Sequence, residues 1–140
     1  MNSDPFGTAR LARAAHALLR IMAALSFISH GTMKLLHFPT MPAMPGGPPP
    51  MPSPPLLSLF GVAGMFEIVG GSLVLLGLFT RPVALLLSGE MAVAFWLVHA
   101  RAGIIPATNM GEAAYLYCFL FLWLATAGAG PWSLDERRSA

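Results

Sequence analysis

Four apolar stretches, each close to the length that crosses a bilayer's hydrocarbon core, leave this chain few ways to fold. They fall at about 14–36, 56–79, 82–100 and 112–128, near the ~20 residues that a spanning helix needs. Backbone groups in hydrocarbon must be paired within their own segment, so each stretch is predicted to be helical. Hydrophobic residues make up 56% of the chain and charged ones 10%, too few to coat a soluble domain. The expected fold is all-α, an integral membrane four-helix bundle in one domain over 14–130. Residues 1–13 are expected to fray or lie along the membrane surface, and 131–140 to form a tail. The first stretch is longer than a signal-peptide core, holds Arg20, and is followed by no small-x-small cleavage site, so it reads as a retained helix.

The connections differ in character. Thr80-Arg81 forms a tight turn that makes helices two and three antiparallel neighbours. A short loop at about 101–111 joins helices three and four. The loop at 37–55 carries nine prolines, three methionines and no Asp, Glu, Lys or Arg, which predicts an extended, polyproline-like segment. Arg10, Arg13, Arg81, Arg137 and Arg138 fall on one side of the bundle, whereas the other side has Arg101 in a loop and Lys34 at a helix end. The positive-inside rule then puts both termini in the cytoplasm and the two longer loops outside. The net charge of +2, with no basic run or RNA motif, argues against nucleic acid as a partner. The one cysteine, Cys118, cannot form an internal disulfide, and no CxxC is present, which argues against a thiol oxidoreductase using its own dithiol. It reads as a small buried hydrophobe.

Charges inside greasy helices are rare unless they pair, face a protein interior or do work. Arg20, Phe27 and Lys34 are seven apart on helix one, with Ala24 and Gly31 between them, so they share a face. Glu67 lies between Ala63 and Gly71 on a small-residue face of helix two, suited to close helix packing. Arg20 and Glu90 lie about 9 and 12 Å from the same end of their helices at ~1.5 Å per residue. This predicts an Arg20–Glu90 contact with Glu67 sharing the guanidinium, a buried polar cluster of Arg20, Glu67 and Glu90. His30, Lys34, His99, Glu112 and Tyr115 are placed around an outer vestibule, with His37 and Arg101 nearby. His99 is nine residues after Glu90, on the opposite side of a regular helix, so the two share a site only if helix three bends.

Several segments resemble the DoxX family of small four-helix bacterial membrane proteins. They are Leu18-Leu19-Arg20, Gly31-Thr32-Met33-Lys34-Leu35, Phe66-Glu67-Ile68-Val69-Gly70-Gly71, Leu76-Gly77-Leu78-Phe79-Thr80-Arg81 and the closing Gly130-Pro131-Trp132-Ser133-Leu134-Asp135. The Pro/Met-rich loop departs from the family pattern. The resemblance implies a multi-pass protein of the bacterial inner membrane and a membrane component of a redox system. One branch is associated with thiosulfate oxidation coupled to quinone, and the wider superfamily includes chaperones and cargo receptors.

Two classes of function stay open at this point. In the first, the chain is a redox-associated subunit that anchors a protein partner and presents a quinone, with Arg20, His30 or Tyr115 as donors. No flavin, haem-attachment or iron–sulfur motif is present, so electrons would come from that partner. In the second, it is a non-enzymatic scaffold or chaperone whose charges hold the bundle together. A weaker reading is outer-face copper handling by Met41, Met44 and Met51. Weaker still is a haem between His30 and His99. The glycine faces suit packing either within a chain or between copies in an oligomer.

Overall fold

The computed structural model describes residues 7–40 and 52–139. Its elements are α1 (Thr8–Leu36), α2 (Leu59–Leu76), α3 (Thr80–Ala94), α4 (Glu112–Ala127) and a short α5 (Leu134–Ser139). Among the described residues there is no strand. α1, α2 and α3 with its extension to Ala102 are long and apolar enough to cross a membrane. α4 is apolar but has 16 residues. The protein is an all-α integral membrane bundle.

Local chemistry sets the helix ends. α1 begins at Thr8, earlier than the apolar pattern alone suggests, because its first turns are built from Ala, Leu and Arg, all good helix formers. Ser58 caps α2 by accepting from the Gly61 N–H at 3.1 Å, and the helix therefore starts at Leu59. It stops at Gly77, which takes φ 64° while its N–H and that of Leu78 bond back to Leu73. This is a Schellman ending that a glycine permits. The turn between α2 and α3 is thus Gly77–Phe79, and Thr80 and Arg81 already belong to α3. After Ala94, α3 passes through a π-helical turn at Phe95–His99 and a 3₁₀ turn at Ala100–Ala102.

α1 packs on α2, α2 on α3 and α3 on α4. Ring contacts of Phe27 with Tyr117 and Phe121 bring α4 against α1 and close the bundle. Small residues make the α1–α2 seam tight. A side chain at Gly31 would begin 2.7 Å from the Gly64 carbonyl oxygen, and one at Gly71 would begin 2.8 Å from Ile28. Gly70 takes Leu87 of α3 in the same way. These glycines therefore pack helices within the chain. Phe27, Phe121, Leu87, Leu124 and Val74 are fully buried at the centre. Met22, Val69, Leu86, Trp96 and Leu116 point outward, as lipid-facing residues do.

Candidate functional site

The buried stripe of α1 ends at Lys34, and α2 meets it with Glu67. The Lys34 Nζ donates to Glu67 Oε1 at 2.6 Å, and the Glu67 side chain is 3% exposed. The close Gly31–Gly64 approach holds the two helices near enough for this pair. Glu67 Oε2 and both carboxylate oxygens of Glu90 are buried without a hydrogen-bond partner among the described residues. Glu90 lies within electrostatic reach of both Glu67 and Lys34, and His30 within reach of Glu67. One ammonium thus faces two interior carboxyls with three unfilled acceptor positions. Beside them, His30 stands edge-on to Tyr117 at 6.0 Å, and Tyr117 stacks on Phe121 at 5.6 Å.

Arg20 is not part of this cluster, and the expected Arg20–Glu90 contact is absent. Its guanidinium, fully buried, donates to the carbonyls of Val74 at 2.8 Å, Leu75 at 2.6 Å, Trp132 at 2.9 Å and Pro131 at 3.3 Å. Matching depth could not foresee this, because depth says nothing about which way a side chain turns. The carbonyls of the last turn of α2 cannot all be paired within the helix, and the planar fork of Arg20 adds a donor to those of Val74 and Leu75. The same fork ties down the tail after α4. Glu67 pairs with Lys34 rather than sharing Arg20.

The tail is fastened a second time. The Asp135 carboxylate accepts from the N–H groups of Phe79 at 2.9 Å and Thr80 at 2.8 Å, capping α3. Partial burial pushes this carboxyl up. The hydrogen bonds from Thr80 and Phe79, with the charge of Arg138, outweigh that and hold it below the ordinary carboxylate value. Arg138 lies over the Phe79 ring at 5.1 Å, and Arg13 donates to Glu136 at 2.8 Å.

The DoxX family model matches residues 15–100, which include Lys34, Glu67 and Glu90. The chain belongs to the DoxX family. It is 46% identical over 124 residues to an uncharacterized protein of Haemophilus influenzae, covering 86% of this chain and 88% of that one. It is 33% identical over 131 residues to an uncharacterized membrane protein of Mycobacterium tuberculosis, covering 86% of this chain and 79% of that one. No solved structure matches the chain.

The remaining residues of the expected vestibule in this DoxX protein separate. Tyr115 is 42% exposed on the outward face of α4, against Phe95 and Phe119. Tyr117, two residues on, turns inward to His30 and Phe27. The signal for it lay in Ala114, Tyr117, Phe121 and Leu124, a 3-4-3 spacing on one helical face. Glu112 is exposed at the first turn of α4, where a negative charge suits the helix dipole. The His99 Nδ1 lies 3.2 Å from the Asn109 carbonyl oxygen. Asn109 in turn bonds the Gly103 carbonyl and the Gly111 N–H, bracing the loop into α4. His30 and His99 thus serve different neighbours. Among the described residues no group of three His, Cys, Asp or Glu could hold a metal ion. Met41, Met44 and Met51 lie outside the described residues.

Proposed function

We propose that this DoxX protein is the membrane-embedded subunit of a redox-associated complex, and that Lys34, Glu67 and Glu90 receive the polar head of a quinone or quinol. The observation that carries this reading is the set of three buried carboxylate oxygens, one on Glu67 and two on Glu90, with no hydrogen-bond partner among the described residues. Buried acceptors without donors are costly, and a ligand's hydroxyl hydrogens would satisfy them. Lys34 has three donors and gives one to Glu67, so it retains two for a carbonyl oxygen. Beside these groups, His30 stands edge-on to Tyr117, which packs on the buried Phe27 and Phe121 rings, and a few polar groups in an apolar surround are what such a head requires. A bound quinone would supply two-electron, two-proton chemistry, and the protein partner would supply or take the electrons.

The clustering of Arg10, Arg13, Arg81, Arg137 and Arg138 at one end supports cytoplasmic termini in the bacterial inner membrane. The test is gentle purification with native lipids, solvent extraction and mass identification of any quinone. Wild-type protein is expected to retain quinone, and Glu90→Gln to bind it about tenfold more weakly, the loss expected for one charge-assisted hydrogen bond. Wild-type protein that carries no quinone and leaves quinone reduction by its native partners unchanged would end this reading. Arg20 favours a second one. Its guanidinium is spent on main-chain carbonyls, as in a non-enzymatic scaffold whose interior charges only hold helices together.

A further inference from the structure

At the end of the bundle where α1 begins and the tail folds back, a groove of about 900 Å³ opens between α1, α4 and the tail. It is separate from the Lys34–Glu67–Glu90 cluster. Its ionisable lining can be accounted for group by group. Arg13 is paired with Glu136 at 2.8 Å. Asp135 is engaged by the N–H groups at the start of α3. The His16 Nε2 lies 3.0 Å from the Gly128 carbonyl oxygen, with its ring against Trp123 at 4.6 Å. Arg81 differs from these. It donates Nη1 to the Thr126 carbonyl at 2.7 Å, a neutral group, and forms no ion pair among the described residues.

The floor of the groove keeps the rest of that guanidinium open. A side chain at Gly128 would begin 3.3 Å from both Nε and Nη2 of Arg81, and φ 86° there also favours glycine. A planar fork with two uncommitted edge donors matches a phosphate better than a point charge would. From that level, Leu19 and the 43% exposed Trp123 continue as an apolar wall along the α1–α4 seam. The groove therefore joins an anion-binding edge to a lipid-facing surface, at the end where the chain's arginines gather.

We propose that this groove binds a glycerophospholipid, its phosphate on Arg81 and an acyl chain along Leu19 and Trp123. Basic pockets between helices at a membrane boundary recognise phospholipid heads by this chemistry.

The test uses the full chain with Trp96→Phe and Trp132→Phe, so that Trp123 alone emits, in dodecyl maltoside micelles, which carry no phosphate. Phosphatidylglycerol or diacylglycerol with the same brominated acyl chains is added as quencher. Trp123 quenching is expected to saturate about tenfold more readily with the phospholipid, the factor expected for a charge-assisted bond. Arg81→Gln is expected to erase that difference, and Arg81→Lys to reduce it, with helicity by circular dichroism unchanged. Equal quenching by the two lipids in the chain that keeps Arg81 overturns the proposal, whether or not the variants fold. An undiminished difference in folded Arg81→Gln also overturns it. Displacement by millimolar inorganic phosphate would reassign the groove to a soluble anion and refute the lipid.

Discussion

Replacing Arg20 by methionine tests whether this buried cation is a clamp between α2 and the tail. Methionine is unbranched and apolar, is two atoms shorter, and has no donors. Four hydrogen bonds disappear, at 2.6 to 3.3 Å, but their carbonyls do not suffer equally. The Val74 oxygen still accepts from the Gly77 N–H at 3.0 Å. The Pro131 contact is the longest and weakest. The main loss falls on Leu75 and Trp132, at ~1–3 kcal/mol for each carbonyl left without its donor. Burying methionine in place of a guanidinium returns part of this, because the cation's desolvation is no longer imposed. The net expectation is a destabilisation of about 2–3 kcal/mol. Denaturant or thermal unfolding in mild detergent, followed by circular dichroism, measures it. Limited proteolysis reads the local effect, since the tail beyond Gly130 should be cleaved faster while α1 to α4 remain protected. Arg20→Lys keeps the charge but offers a compact point rather than a fork, and should fall between the two. Arg20→Met with wild-type stability and an equally protected tail would refute the clamp.

Two further outcomes follow from the geometry. Asp135→Ala removes the carboxylate that caps α3 and should cost about 1 kcal/mol, as lost helix caps do. The folded pKa of this carboxyl lies below its unfolded value, so its contribution is present above about pH 4 and is lost as the pH falls through the folded pKa. Unfolding of the wild type should therefore show an acid limb that Asp135→Ala flattens, and identical pH profiles would count against the cap. Gly31→Ala places a methyl 2.7 Å from the Gly64 oxygen and 2.9 Å from the Glu67 Cβ. The helices must separate, at about 1–3 kcal/mol of overpacking cost, with a lower thermal midpoint as the readout.

Different parts of the structure were legible to different degrees. The α1 face of Arg20, Ala24, Phe27, Gly31 and Lys34 could be read from a seven-residue spacing, and the structure turns Arg20, Ala24, Phe27 and Gly31 fully inward. Partner choice could not be read in this way. Lys34 sits one turn beyond Gly31, where α2 comes closest, and so it takes Glu67. Arg20 is at the level where α2 ends, and there it finds the end-of-helix carbonyls of Val74 and Leu75. Tyr115 and Tyr117 differ by two positions, about 200° around a helix, so an error of that size exchanges lipid for core.

Composition and periodicity alone made this an all-α membrane protein, because apolar segments of this length have no other way to pair their backbones in hydrocarbon. The fold decided which polar group meets which. A charged side chain reaches several ångströms in any direction its helix permits, and only the packed neighbours determine whether a carboxylate, a carbonyl or an open groove waits there.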